Sequence, residues 1–281
     1  HGPRHGLRID VAHGLFKAPG LPDLPDASVQ RRLLLGSNAL ASDREEVHDV
    51  YRRWRRLADG YSPPRCLVGE VNLPADRAAR YVREDELHLS FAFVFLRAPW
   101  DAAAWRAAID DLLRGGEASG APVTWVTDNH DVCRSASRYA PAGDGGRGVA
   151  RARAAVLVML ALPGTVYLYQ GQELALPEAD VPAEQRQDPA WFRSGMSRDG
   201  CRVPLPWTID AAGSHGFSPA GAASWLPQPP GWGALSIEAA DGDEASTLTL
   251  VRRAVQLRGE LRRDGVLRGS AATVGFGWLD S

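Results

Sequence analysis

Apolar, strand-like segments alternate along this 281-residue chain with segments whose apolar residues recur at helical spacing. The predicted strands are residues 7–11, 66–71, 89–96, 123–127 and 165–169. Helices are predicted between them, because apolar side chains recur there every three or four residues. Strands that alternate with helices in this way imply βαβ units, and therefore a parallel sheet in an α/β fold.

Two of the predicted helices have recognisable starts. Ser42, with Glu45 three residues later, predicts a capping box before a helix that runs to residue 58. Asp101 is predicted to cap a later helix.

Between residues 171 and 243 the pattern gives way to a segment rich in proline, glycine and tryptophan. A connection of that length is usually functional.

Composition excludes several classes of partner. The net charge of -2 offers no concentrated basic surface for nucleic acid. The longest apolar run, residues 154–162, is too short to span a membrane. The three cysteines, Cys66, Cys133 and Cys201, are widely separated and form no Cys-x-x-Cys metal pair. Such scattered thiols predict neither a metal site nor a disulfide framework, and they indicate a cytoplasmic protein.

Three acidic residues lie where predicted strands end: Asp10, Glu70 and Asp131. The carboxyl ends of parallel strands share one edge of a sheet, and in α/β barrels that edge holds the active site. A single acid in such a position is as readily a solvated loop residue. For three together we expect one shared cavity into which all three carboxyl groups point.

Glycoside hydrolysis is the chemistry that uses such a set. One carboxylate attacks the anomeric carbon while a protonated acid donates to the leaving oxygen, and retention places the two about 5 to 5.5 Å apart. Glu70 follows an apolar strand, so burial would keep its carboxyl protonated. A third acid can stabilise the charged transition state. Arg8 lies on the same face of its strand as Asp10, and would hold it ionised.

Segments throughout the chain resemble motifs of glycoside hydrolase family 13, the α-amylase superfamily. Residues 6–14 (GLRIDVAHG) resemble its nucleophile motif, 67–71 (LVGEV) its acid/base motif and 126–131 (VTDNHD) its third-acid motif. Three more segments resemble its α-glucosidase and oligo-1,6-glucosidase branch, at 95–100, 164–171 and 198–207. These motifs occur in the family's order and together cover nearly the whole chain.

The resemblance implies a role for each acid. Asp10 would be the nucleophile, Glu70 the general acid/base and Asp131 the stabiliser of the transition state. It implies no cofactor and no metal.

The resemblance also implies four residues that orient the acids or bind substrate: Arg8, His13, His130 and Arg134. His130 would hydrogen-bond the glucose that is cleaved off, and Arg134 would help to close its subsite. His13 would lie by the leaving group.

The family's barrel has eight strands, and three of them precede the nucleophile motif, whereas nine residues precede Asp10 here. We therefore expect residues 1–264 to form the fourth to eighth strands of a (β/α)8 TIM barrel. Residues 265–281 would begin a truncated C-terminal β-domain. A missing N-terminal half would be a partner of this chain. Without that half the flank of the first strand would be exposed, and the chain alone would have little or no activity.

The function predicted for the complete enzyme is that of a retaining α-glucosidase. It would release terminal non-reducing glucose from short α-linked oligosaccharides by double displacement. A transglycosylase or isomerase of the sucrose- or trehalose-forming type is the alternative on the same scaffold. A non-catalytic, glucosidase-like binding or transport-associated protein is the alternative from another class, although such proteins typically lose the acids. An inert fragment is a fourth interpretation.

Overall fold

The structure is a computed structural model that describes residues 5–23, 40–141, 143, 146–267 and 278. The described residues divide into two compact units. The first contains the chain up to Val126, Pro163–Val166 and the residues after Asp264, and the second contains Thr127–Leu162 and Tyr167–Asp264.

A parallel sheet forms the centre of the first unit. Its strands are β1 (Gly6–Ile9), β2 (Cys66–Gly69), β3 (Leu89–Ser90), β4 (Thr124–Trp125) and β5 (Thr165–Val166). β2 lies between β1 and β3, β4 pairs with β5, and a bridge from Phe91 to Thr124 joins the two groups. Neighbours in the sheet are therefore neighbours in the sequence, as βαβ units require. The predicted α/β class with a parallel sheet is confirmed.

The third predicted strand, residues 89–96, is wrong beyond Ser90. The chain turns there into helix α3 (Phe93–Arg97), which follows helices α1 (Glu46–Asp59) and α2 (Ala75–Ala79). Phe95 is fully buried, and its ring packs edge-on against Trp105 and Trp125 at centroid distances of 4.8 and 5.3 Å. A short apolar run buried on all sides has no periodicity that separates strand from helix.

The two predicted helix caps have different outcomes. Asp101 caps helix α4 (Ala102–Ser119), because its carboxylate accepts the Ala104 N–H at 2.8 Å, as predicted. The Ser42 cap is wrong, since α1 begins four residues later. Asp43 instead adopts a left-handed conformation with φ of 57°, and its N–H donates to the carbonyl of His13 at 2.7 Å. This tertiary contact holds the segment out of the helix.

Helix α1 packs against the sheet through its first half, whereas apolar residues near its C-terminus remain exposed. Val47 and Tyr51 are fully buried in a core that includes strand residues of β1 and β2. Trp54 and Leu57, nearer the end of the helix, are 37% and 68% exposed. Together with Leu7, which is 63% exposed, they line an open cleft beside β1. Among the described residues, no strand pairs with that outer edge of β1.

The second unit is mostly helical. Its helices are α5 (Ser135–Arg138), α6 (Arg147–Ala161), α7 (Pro189–Ser194), α8 (Asp199–Arg202), α9 (Ala212–Gly216), α10 (Ile237–Ala240) and α11 (Thr247–Arg263). Arg258 of α11 is buried and donates to the carbonyl of Leu162 at 2.8 Å, which ties α11 to the end of α6. The long segment predicted as a loop, 171–243, thus consists of short helices joined by turns.

Two predictions concern regions that the structure describes little or not at all. Of the predicted C-terminal β-domain, residues 265–281, only 265–267 and 278 are described. The sequence also predicts a loop rich in proline and glycine from the end of the first strand to about residue 38, and residues 24–38 of it lie outside the described residues. Among the helices that are described, none is long and apolar enough to cross a membrane.

Candidate active site

Strand pairing brings Asp10 and Glu70 to the same end of the sheet. Ile9 and Gly69 are partners in the β1–β2 register, so the acid that follows each of them leaves the sheet beside the other. The Glu70 N–H donates to the carbonyl of Ile9 at 2.9 Å, and the Glu70 carbonyl accepts the Ala12 N–H at 2.8 Å. The backbone of Glu70 is therefore fixed by residues on both sides of Asp10.

Arg8 binds both acids with one guanidinium group. Its two terminal nitrogens donate to different partners, one to Asp10 and the other to Glu70. The Asp10 side chain is 73% exposed, whereas that of Glu70 is 13% exposed. One carboxyl group therefore faces solvent while the other is enclosed, and a shared cation lies between them.

Burial of Glu70 sets its protonation. The pKa of Glu70 is raised to about 7, with burial as the largest cause and hydrogen bonding with Asp10 as the next. The positive charge of Arg8 and the N–H of Val11 oppose this rise. A carboxyl group with a pKa near 7 retains its proton at near-neutral pH, which is the state that a general acid requires.

The backbone beside the two acids is strained. Val11 has a left-handed conformation with φ of 40° and ψ of 50°, and its N–H lies 3.4 Å from Glu70 Oε2. A β-branched residue rarely adopts this conformation, which costs about 1–2 kcal/mol. Gly69 shows a second constraint, because a Cβ there would come within 2.5 Å of the Leu87 side chain. Such crowding and strain are concentrated at functional sites.

His13 is enclosed behind the same loop. Its side chain is 1% exposed, and burial lowers the pKa of His13, while contacts with the Glu70 backbone and Asp43 act in the opposite direction. A ring this buried would reach a leaving group only if the surrounding loop moved. The predicted contact of His13 with substrate stays a prediction.

Asp131 follows β4 along the chain and belongs to the second unit. Its carboxylate accepts from Arg198 at 2.7 Å and from Arg202 at 3.1 Å. The ring of His130 lies beside it, with Nε2 at 3.4 Å from Asp131 Oδ2. The structure therefore brings together two of the predicted site residues, His130 and Asp131, with two arginines that were not predicted.

Arg198 also binds a second carboxylate, that of Asp188. The Arg198 Nε and one terminal nitrogen donate to the two oxygens of Asp188, each at 2.7 Å. Hydrogen bonds from Arg198 hold the pKa of Asp188 well below its usual range, and Asp188 raises the pKa of Arg198. The motif at residues 198–207 does not by itself predict a role for Arg198, because its contact with Asp131 joins residues that are 67 positions apart.

Arg134 is buried among backbone carbonyl groups of the second unit. It is 2% exposed, and its terminal nitrogens donate to the carbonyls of Gln170 at 2.8 Å and Cys201 at 2.9 Å. Its guanidinium also lies 5.2 Å from the centre of the Tyr169 ring. These contacts hold loops of the second unit together, and a place for Arg134 in the glucose subsite stays a prediction.

The predicted residues thus form two groups. Arg8, Asp10 and Glu70 meet in the first unit, and His130 and Asp131 meet in the second. Convergence of all three acids on one cavity stays a prediction. Within the described part of the chain, no group of histidine, cysteine, aspartate and glutamate side chains is arranged to hold a metal ion.

Comparison with known proteins decides the family. Residues 4–264 match the family of the alpha-amylase catalytic domain. The chain belongs to this family. The resemblance of its motifs to glycoside hydrolase family 13 is thereby confirmed, and the match covers the segments that carry Asp10, Glu70 and Asp131.

Two curated relatives and one solved structure show how far the likeness extends. A probable alpha-glucosidase of Rhizobium meliloti (strain 1021) is 32% identical over 277 residues, which are 90% of this chain and 48% of that protein. An alpha-glucosidase of Apis mellifera is 25% identical over 225 residues, 77% of this chain and 37% of that protein. The crystal structure of the alpha-glucosyl transfer enzyme XgtA matches with a TM-score of 0.77 and 30% identity, over 91% of this chain and 49% of that one.

The chain spans about half the length, or less, of these relatives. The structural match confirms the predicted fold class, part of the barrel that this family forms.

Proposed function

We propose that this chain carries the catalytic acids of a retaining α-glucosidase that acts on the non-reducing ends of short α-linked oligosaccharides. The contact of Asp10 with Glu70 around Arg8 is the observation that carries the proposal. An exposed carboxylate beside a buried, protonated carboxyl group is the pair that double displacement needs.

In the first step, an Asp10 oxygen attacks the anomeric carbon and forms a glycosyl ester while the glycosidic bond breaks. Glu70 gives its proton to the leaving oxygen, so the released sugar departs as a neutral alcohol. In the second step, the Glu70 carboxylate takes a proton from water, the water oxygen attacks the anomeric carbon, and Asp10 leaves as a carboxylate. Arg8 stabilises the ionised form of Asp10 before the first step and after the second.

The other predicted site residues complete the proposal. Asp131 would stabilise the positively charged ring in the transition state by its negative field. His130 would hydrogen-bond the glucose, Arg134 would help to close its subsite and His13 would lie by the leaving group. Arg202 is a further candidate for this subsite, because its side chain reaches both Asp131 and the carbonyl of His130.

Transfer of glucose to a sugar acceptor is the second candidate function. The structural relative XgtA, described as an alpha-glucosyl transfer enzyme, favours it. Both reactions share the first step and differ in whether water or a sugar hydroxyl attacks the glycosyl ester. Thin-layer chromatography of products formed at high maltose concentration separates them, since transfer yields trisaccharides and hydrolysis yields glucose alone.

A polypeptide that completes the barrel is the proposed partner of this chain. Two observations support it: the chain spans about half of its relatives, and Leu7, Trp54 and Leu57 expose apolar surface beside the open edge of β1. Exposed strand edges and apolar patches mark sites of association. We propose a cytoplasmic location from the sequence alone, on the basis of its three scattered thiols.

The test is an assay on an aryl α-glucoside and on maltose, with the chain alone and with a polypeptide that supplies the first barrel strands. Asp10→Asn should abolish turnover of the complemented enzyme, since an amide cannot form the ester. Glu70→Gln should impair maltose hydrolysis far more than hydrolysis of an aryl glucoside with a good leaving group.

Nuclear magnetic resonance of the first product should show α-glucose. The appearance of β-glucose would contradict retention, and equal losses on both substrates would contradict Glu70 as the acid. Turnover by the chain alone at about 1 to 1000 per second would contradict the need for a completing partner.

A further inference from the structure

A second candidate site lies in the second unit, among residues to which the proposed mechanism gives no role. An open groove of about 690 Å³ lies beside α9, and the exposed side chain of Trp225 forms part of its wall. Trp225 is 79% exposed. The polar residues that line the groove are Glu184, Gln185, Gln187, Ser214, His215, Ser224 and Gln228.

The backbone of α9 is strained where it borders the groove. Gly213, Ser214 and His215 all have left-handed conformations, with φ of 59°, 54° and 52°. For the two residues with side chains this costs about 1–3 kcal/mol each, which surrounding contacts must offset. The carbonyl of His215 accepts the Trp207 N–H at 2.8 Å, and the carbonyl of Gly213 accepts the Ser218 N–H at 2.7 Å. These bonds hold the turn in one shape.

The same turn fixes the position of Trp225. The Ser214 hydroxyl accepts the N–H of Ser224 at 3.2 Å, and the Ser224 hydroxyl donates to the carbonyl of Leu226 at 2.6 Å. Leu226 is 5% exposed and packs in the hydrophobic core of the second unit. The residues on both sides of Trp225 are therefore anchored, while its indole ring is held in solvent.

Gln228 offers an unused hydrogen-bond acceptor at the groove. Its Nε2 donates to the carbonyl of Pro204 at 3.1 Å, which orients the amide. Its Oε1 is buried and has no hydrogen-bond partner among the described residues. A buried acceptor without a partner costs about 1–3 kcal/mol, which a hydroxyl group of a ligand would recover where a shift of the groove wall opens Oε1 to it.

This combination matches a neutral sugar. A pyranose ring has a face of C–H groups, which packs against the apolar face of an indole ring, and a rim of hydroxyl groups, which bond to amides and hydroxyls. No lysine or arginine is among the residues that line the groove, and Glu184 would repel an anion. We infer that the groove around Trp225 is a second carbohydrate-binding site, which holds neutral α-linked glucan chains.

The test is maltoheptaose binding by the full chain carrying Asp10→Asn, measured by isothermal titration calorimetry without turnover. In that background Trp225→Ala should weaken binding at least tenfold. Gln228→Met, which removes the free acceptor, should weaken it severalfold. Phe192→Ala is the matched control, because Phe192 is 75% exposed in the same unit but does not line the groove, and it should change binding less than twofold.

Three outcomes would overturn the inference. The first is unchanged affinity in Trp225→Ala, and the second is no binding of maltoheptaose by the parent chain at millimolar concentration. The third is a large rise in KM for a short aryl glucoside when Trp225→Ala is placed in the complemented enzyme, which would assign the groove to the catalytic site. Equal unfolding temperatures of the variants exclude misfolding as the cause. Because binding is measured without catalysis, failure of the proposed glucosidase activity would leave this result interpretable.

Discussion

Glu70 lies in hydrogen-bonding contact with Asp10, and burial together with this contact raises the pKa of Glu70 to about 7. Arg8 binds both carboxyl groups and limits the rise. Glu70 is enclosed and retains its proton up to about pH 7, whereas the side chain of Asp10 faces solvent. In the proposed mechanism this difference allows Glu70 to donate a proton while Asp10 attacks.

The pKa of Glu70 predicts two pH dependences. The kcat/KM of the complemented enzyme should fall with an apparent pKa of about 7 on the alkaline side. Between pH 4.5 and about 7 the carboxyl group of Glu70 keeps its proton in the folded chain and loses it in the unfolded chain. The contribution of Glu70 to the free energy of unfolding is therefore full below pH 4.5 and is lost as the pH rises through about 7. In Asp10→Asn the neighbouring charge is absent, and the Glu70 carboxyl carbon, followed by nuclear magnetic resonance, should titrate at lower pH. An unchanged titration would contradict coupling of the two acids.

The left-handed conformation of Val11 predicts an unusual order of stabilities. Val11→Gly should be more stable than Val11→Ala by about 1 kcal/mol, because both variants lose the two γ-methyl groups of valine while only glycine adopts a φ of 40° without strain. The opposite order is expected at Val158 in helix α6, where glycine should cost about 1 kcal/mol relative to alanine. Urea unfolding of the four variants measures both differences. The same order at both positions would contradict strain at Val11.

The pair formed by Asp188 and Arg198 predicts a stability effect beside Asp131. The Asp188 side chain is fully buried, so Asp188→Asn would leave donors of Arg198 without a charged partner and should cost about 2 kcal/mol. Asp180→Asn is the control, because Asp180 is exposed and lies 4.0 Å from Arg186, and it should change stability by less than about 0.5 kcal/mol. Thermal unfolding at pH 7 compares them. Because Arg198 depresses the pKa of Asp188, the difference in stability between the parent chain and Asp188→Asn should shrink as the pH falls below 3.8.

The exposed apolar surface beside β1 predicts self-association of the isolated chain. Leu57→Lys should lower the aggregated fraction severalfold, because it places a charge in the cleft lined by Leu7 and Trp54. Leu257→Lys makes the same change on helix α11, at a leucine that is 55% exposed outside this cleft, and should have a smaller effect. Light scattering during size-exclusion chromatography gives both fractions. Equal effects of the two variants would show that the cleft has no special part in association.

Much of the fold follows from local patterns. Strand β2 lies within the segment predicted for it, and β1 begins one residue before its predicted segment, because apolar residues bounded by turn signals have few other conformations available. Asp101 caps α4 as predicted, since a cap depends on residues only three apart. The helix at 93–97 was missed because an aromatic and β-branched run favours a strand, whereas packing of Phe95 between two tryptophans favours the helix.

For the candidate site, the sequence by itself determined that three acids follow strands, Asp10, Glu70 and Asp131, and the structure brings the first two together. Asp10 and Glu70 each follow a parallel strand directly, so adjacent strands in register place them side by side. Only the tertiary structure decided the protonation of Glu70 and the partners of Asp131 and Arg134. Arg198 reaches Asp131 from 67 residues away, and Arg134 is enclosed by carbonyls 36 and 67 residues distant. Burial and contacts between distant segments have no local signature, because they depend on how the whole chain packs.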